Sequence, residues 1–168
     1  SGVTVDYVDS NSPDGATKTI RADWCVCNIP LTVLTQLDIN VSKPMKQAMA
    51  AVPYETSYKV GLEFNRRFWE EDEWIFGGLT YTDMPIAQIA YPSQNMFKDG
   101  TGVLLGAYGY GPTSYKFNTL TPQERINVAL AYGKYIHPQY PKEFRAGTSV
   151  VWHRIPWTLG CYGIWNES

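Results

Sequence analysis

Histidine, cysteine and a surplus of either charge are what this sequence has least of. Its two histidines, His137 and His153, are too few and too far apart for a metal site. Neither has a serine or cysteine at a triad spacing, so nucleophilic hydrolysis finds no support. Three cysteines make no disulfide framework. Cys25 and Cys27 lie in ADWCVCNIP, which reads as a strand. Both would then point to one face and could not easily bridge, and a C-x-C without a second ligand pair falls short of a zinc site. Cys161 stands alone in WTLGCYGIW. A net charge of −2 leaves no electrostatic footprint for nucleic acid or an anionic membrane. No apolar run approaches the length of a membrane span, and SGVTVDYV is no signal peptide. The G-x-G-x-x-G of dinucleotide sites is missing as well. GAYGYG (106–111) has the wrong spacing, and the following PTSYKFN is not read as a helix whose N-terminus could hold a pyrophosphate.

What remains describes one globular domain. The chain has 168 residues, 44% apolar and 18% charged, enough to bury a proper core. Aromatic residues make up 14%, which suits an aromatic-lined pocket as well as a large core. GVTVDYV (2–8) alternates as a strand, DSNSPDG is a turn cluster, and TIRADWCVCNI reads as the hairpin partner, ending at Pro30. LTVLTQL follows as a short helical turn. VSKPMKQAMAA (41–51) is a short amphipathic helix, with Ser42 to cap it and Pro44 in the first turn. In SYKVGLEF, Tyr58, Val60, Leu62 and Phe64 alternate as a buried strand face, leaving Lys59, Gly61 and Glu63 on the other side. On this stretch alone, Lys59 reads as a solvated lysine.

Beyond the acidic corner EEDE, GGLTYTDMPIAQIAYPS gives one or two short strands broken by prolines, and KDGTG a tight turn. GVLLGAYGYGP is a strand running out into glycines. Glycine beside tyrosine there lets the backbone approach a neighbouring strand or a ligand. The second clear helix starts at Thr121, with a Thr121/Glu124 capping box, Pro122 at its first position and His137-Pro138 as its stop. EFRAGTSVVW (143–152) is the last strand. Strands interleaved with two helices indicate an α+β domain with a mixed β-sheet and flanking helices.

Taken in order, ADWCVCNIPLTVL, SYKVGLEFNRRFW, GGLTYTDMPIAQIAYPS, GVLLGAYGYG and VVWHRIPWTLGCYGIW resemble the flavin-dependent amine oxidase superfamily over nearly the whole chain. The TD-x-P and Y-P elements resemble its L-amino-acid oxidase branch. The resemblance implies a substrate-binding domain over 41–150. It assigns 1–40 to strands and a connection of the FAD-binding domain, and 151–168 to a return segment toward the flavin.

The resemblance also implies FAD as cofactor, with oxygen and an amino acid as reactants, giving a 2-keto acid, ammonia and hydrogen peroxide. It places Lys59 at the strand lysine that holds a water against the reactive flavin nitrogen, the catalytic position. Tyr108 matches the tyrosine that helps hold the substrate carboxylate, with Tyr110 lining the same pocket. Trp152 matches the tryptophan packed near the isoalloxazine ring. Trp157 and Tyr162 match positions flanking the substrate, and Trp165 joins that group. Gly160 and Cys161 fall in a G-C-Y tripeptide that carries the covalent flavin link in monoamine oxidases. The amino-acid branch usually holds its flavin without a bond, so a covalent link and a small buried thiol both stand as readings of Cys161.

The missing G-x-G-x-x-G and FAGE-like motifs imply a processed subunit or a fragment, active with chains that carry the rest of the FAD site. Alternatives are a primary amine or polyamine oxidase, and a non-catalytic assembly subunit of the same fold. Localisation stays open, since a secretion signal would belong to a precursor's N-terminus.

Overall fold

A computed structural model describes residues 2–165. In chain order these form β1 (Val3–Val8), β2 (Thr17–Ala22), α1 (Leu31–Leu34), α2 (Lys43–Ala51), β3 (Ser57–Phe64), α3 (Phe68–Glu71) and β4 (Gly78–Tyr81). There follow β5 (Gln88–Tyr91), β6 (Gly102–Tyr110), α4 (Pro112–Asn118), α5 (Pro122–Gly133), α6 (Tyr140–Glu143) and β7 (Phe144–Val151), with a 3-10 turn at Trp152–Arg154. The strands divide into a β1–β2 hairpin and a five-stranded sheet in the order β4-β5-β6-β3-β7. Its ladders run antiparallel, and a bridge between Ala87 and Tyr108 supplies the parallel pairing.

β3 is central because its sequence alternates cleanly. Tyr58, Val60, Leu62 and Phe64 are fully buried, while Lys59, Gly61 and Glu63 on the opposite face are half-buried. The buried row meets Leu104 and Ala107 of β6, Phe117 of α4, Ile126 and Ala129 of α5, and Phe68 and Trp69 of α3. All helices of this core pack on that one side. Tyr58 stacks on Phe117 at 4.0 Å between ring centroids, and its hydroxyl donates to Pro85 O at 3.1 Å. The tyrosine-flanking glycines serve this packing. A Cβ on Gly106 would run into Leu62, and one on Gly109 would come 2.9 Å from the Tyr58 ring and hydroxyl. They make room for the neighbouring strand, so the two readings of these glycines resolve in favour of the core.

α5 starts with the expected capping box: Thr121 N donates to Glu124 Oε2 at 2.7 Å, and Glu124 N to Thr121 Oγ1 at 3.3 Å. Ser42 caps α2 through Met45 N at 3.4 Å. Two expectations fail. PTSYKFN is a helix, α4, because Gly111 turns the chain at φ 54° and Ser114 Oγ donates back to Gly111 O at 2.7 Å. That presents Phe117 to Tyr58, a tertiary gain that local propensity does not contain. The hairpin partner also ends early, at Ala22. Cys25 and Cys27 lie beyond it in exposed chain without strand pairing, so no sheet face orients them.

Two polar clusters lie inside. His137 is fully buried, with Nδ1 2.9 Å from Glu73 Oε1 and Nε2 2.6 Å from Tyr91 Oη. A carboxylate only accepts, so Nδ1 carries the proton toward Glu73, while Tyr91 Oη bonds Nε2 on one side and Thr80 Oγ1, at 2.9 Å, on the other. This chain of bonds ties β4, at the sheet edge, and its neighbour β5 to the turn after α5. The second cluster is the Arg67–Glu70 ion pair, with 7% and 4% of its side chains exposed. Arg67 Nε donates to Glu70 Oε1 at 2.9 Å, and Glu70 Oε2 accepts from Phe97 N at 3.0 Å, which fixes the 94–97 loop. The guanidinium holds the Glu70 carboxyl below its ordinary range. Glu70→Gln leaves the Arg67 charge buried without its counter-ion and is expected to cost about 3–5 kcal/mol in urea unfolding.

Burial pushes the phenols of Tyr58, Tyr91 and Tyr140 well above the ordinary tyrosine value. The folded chain then holds protons that the unfolded chain releases. Stability should be level up to pH about 10 and fall above it. Urea midpoints measured from pH 8 to 11 check this.

Candidate functional site

The face of the five-stranded sheet away from the helices carries the second row of side chains, and the site is built there. Register places Tyr110 opposite Ser57, Tyr108 opposite Lys59, and Val150 opposite Lys59 on the other flank. Directly opposed residues share a face, so Lys59, Tyr108, Tyr110 and Val150 form one patch. Lys59 Nζ lies 5.1 Å from the centre of the Tyr108 ring, within cation–π range, and among the described residues it forms no salt bridge. Tyr108 and Tyr110 lie 4.9 Å apart, and Tyr110 and Tyr162 lie 6.0 Å apart, edge to face.

The 160–164 segment is pinned beside them by backbone. Cys161 N donates to Glu55 O at 2.8 Å and Glu55 N to Tyr162 O at 2.9 Å, while Gly163 bridges to Tyr54. Gly160 is buried against Tyr54, whose Cδ1 would lie 2.8 Å from a Cβ at that position. Cys161 is half-buried and accepts a hydrogen bond from buried Ser57 Oγ at 3.0 Å. Burial, and then the nearby Cys161 and Tyr162 side chains, push the Tyr108 phenol above its ordinary value. Tyr108 therefore stays a hydrogen-bond donor through the neutral and mildly alkaline range.

The structure thus gathers Lys59, Tyr108, Tyr110, Cys161 and Tyr162. Trp152 opens the 3-10 turn after β7 and accepts from Thr158 Oγ1 at 2.7 Å, half-buried at the margin of the patch. Trp157 and Trp165 are not gathered: they are 77% and 80% exposed and pair with no ring of the cluster. Ser57 and Glu55 were missed by sequence reasoning. Ser57 lies 104 positions from Cys161, and no local signal connects them.

The whole of residues 1–167 matches the family described as flavin containing amine oxidoreductase. The chain belongs to that family. It is 29% identical over 169 residues to an L-amino-acid oxidase of Siganus canaliculatus, covering 98% of this chain and 32% of that protein. It is 32% identical over 143 residues to the L-amino-acid oxidase BjussuLAAO-I of Bothrops jararacussu, covering 84% and 27%. Among solved structures, cyclohexylamine oxidase from Brevibacterium oxydans IH-35A superposes with a TM-score of 0.69 at 19% identity, over 86% of this chain and 32% of that one. That likeness shows the fold alone. The chain spans about a third of the length of the relatives it matches.

FAD is the cofactor of this family. The residues present fit one part of it. An uncovered sheet face with an ammonium free of carboxylate partners, flanked by tyrosines, suits the edge of an electron-accepting ring. GAYGYG does lead into α4, but its spacing is not G-x-G-x-x-G and Pro112 brings no N–H to the helix start, so it does not make the phosphate-binding turn a pyrophosphate requires. No helix among the described residues is long and apolar enough to cross a membrane.

The ultraviolet tyrosinate band, taken as wild type minus Tyr108→Phe, should grow in only above pH about 10. Ionisation of that phenol below pH 9 would contradict the buried geometry.

Proposed function

We propose that this chain is the substrate-domain part of an FAD-dependent L-amino-acid oxidase. The observation that carries the reading is Lys59 Nζ set over Tyr108 on an uncovered face, beside Tyr110 and Tyr162. Relatives named as L-amino-acid oxidases support the substrate class. The rest of the flavin site comes from the longer protein, as continuous or processed chain. In this reading residues 1–40, with their separate hairpin, belong to the flavin-binding domain, 41–150 to the substrate domain, and 151–168 to the return segment.

Bound FAD would accept the Cα hydride and pass the electron pair to dioxygen. The chain's own residues do the positioning. The Tyr108 hydroxyl donates to the substrate carboxylate, which orients Cα. Tyr110 and Tyr162 exclude water around the side chain. With the cofactor bound and the face covered, the Lys59 ammonium would supply a fixed positive charge toward the negative charge that reduction and reoxidation develop. No protein base is required when the bound amine is neutral, and neither histidine belongs to the cluster: His137 lies in the core network and His153 follows β7. The imino acid then hydrolyses to the keto acid and ammonia, and oxygen leaves as hydrogen peroxide. Trp152, Trp157 and Trp165 join the flavin and substrate walls once the rest of the protein covers this face.

The test uses the native protein that carries this chain. Without oxygen, its visible flavin bands should bleach on addition of L-amino acids and stay unchanged with the corresponding decarboxylated amines. Tyr108→Phe should raise KM for amino acids roughly 10–100-fold, the loss of one hydrogen bond to a charged group. Lys59→Met should slow reoxidation on the order of 100-fold with little change in KM. Bleaching by amines with Tyr108→Phe silent would assign an amine substrate. A colourless native protein would leave only an assembly role.

A further inference from the structure

The chain just before β3 carries an acid that the site has not yet used. Thr56 turns its hydroxyl to the helix side, where it bonds Ser114 of α4. Alternation turns its neighbours Glu55 and Ser57 the other way, toward the face that holds Lys59. Backbone bonds fix Glu55 there. Its N–H donates to Tyr162 O at 2.9 Å, its carbonyl accepts from Cys161 N at 2.8 Å, and the adjoining Thr56 O accepts from Gly111 N at 3.1 Å. Glu55 therefore lies between Tyr162 and the residue that follows Tyr110, beside the two rings that meet edge to face at 6.0 Å.

Its carboxylate is open. Oε1 accepts from Thr56 N at 2.8 Å, and among the described residues Glu55 forms no salt bridge. A carboxylate has about four lone-pair sites, so one accepted bond leaves most of its capacity unused. The two oxygens lie over Gly111, where a Cβ would come 3.6 Å from Oε2 and 3.7 Å from Oε1. With glycine at that position, no side chain of residue 111 covers them. Glu55 is half-buried, so it gives up part of its hydration with no opposite charge to offset the loss.

The face is thus two-ended. Lys59 over Tyr108 marks one end, the Glu55 carboxylate the other, and Tyr110 and Tyr162 stand between. Along an extended chain, the four residues from Lys59 back to Glu55 cover about 13 Å. A substrate whose carboxylate is held at Tyr108 reaches Glu55 only through a long side chain, and the tip of that side chain meets a negative charge. Tyrosine rings on the way suit both an apolar stem and a cation. We propose that Glu55 is a specificity-determining residue, selecting L-amino acids whose long side chain ends in an ammonium or guanidinium group. It repels acidic side chains by the same charge. The inference rests on the oxidase reading above, which leaves the substrate's side chain unassigned.

The test follows anaerobic flavin bleaching in the native protein that carries this chain. L-Lysine is compared with L-norleucine and L-arginine with L-citrulline, each pair matched in chain length and differing in charge. Wild type should favour the cationic member of each pair roughly 10–100-fold in second-order bleaching rate, the worth of one charge-assisted contact. Glu55→Gln, which keeps an acceptor for Thr56 N, should erase that preference. A Glu55 that only braces the start of α4 predicts otherwise: the substitution slows both members of a pair together and their ratio stands. No cationic preference in wild type, or one that survives Glu55→Gln, overturns the proposal. Bleaching by neutral L-amino acids alone strikes down this inference and leaves the oxidase, whereas bleaching by no L-amino acid strikes down both.

Discussion

The two-residue alternation of β3 is the constraint on which the rest depends. Tyr58, Val60, Leu62 and Phe64 are driven to one side by the apolar area they remove from water, which is worth about 1.5–3 kcal/mol for each fully buried large side chain. Once that row is fixed, the pleat leaves Lys59 no choice of direction. A slip of one residue would bury Lys59 and Glu63 among Phe117, Leu104 and Phe68, a desolvation cost no neighbour there could offset. The core and the lysine patch are two consequences of one register. That register is held twice, by β6 and by β7.

Much of this was legible in the sequence, where a pattern is short-range. The β3 alternation, the Ser42 cap and the Thr121–Glu124 box all act within a few residues, and all three appear as read. What failed was decided at a distance. α4 exists because Gly111 bends the chain and Phe117 finds Tyr58, 59 positions away by their numbering. Cys25 and Cys27 have strand-like neighbours but no partner strand, and without a ladder a β-prone run stays extended and exposed. At the site, the order of motifs brought Lys59, Tyr108, Tyr110 and Tyr162 into view. Ser57 and Glu55 stayed invisible because their role depends on the return of residues 160–164 to the start of β3.

The open face also says what kind of surface must cover it. An antiparallel sheet can keep one side in water, and then that side is polar. Here Gln88 and Tyr81 continue the Lys59–Tyr108 row toward the edge, but Leu79 and Val103 on the same face are exposed and apolar. The face is therefore graded, with a lysine and tyrosines at the β3–β6 seam and aliphatic side chains at its borders. A solvated face would have no reason to set its ammonium over Tyr108, whose hydroxyl burial holds in the protonated form. A purely packed face would exclude the ammonium. Apolar borders around a polar, charged centre are what a layer closing over a ligand requires: the borders seal, and the centre meets polar or charge-accepting chemistry. In the proposed reading, Lys59 is neither a solvated lysine nor a buried misfit, but the charged centre of a surface that the rest of the longer protein would complete.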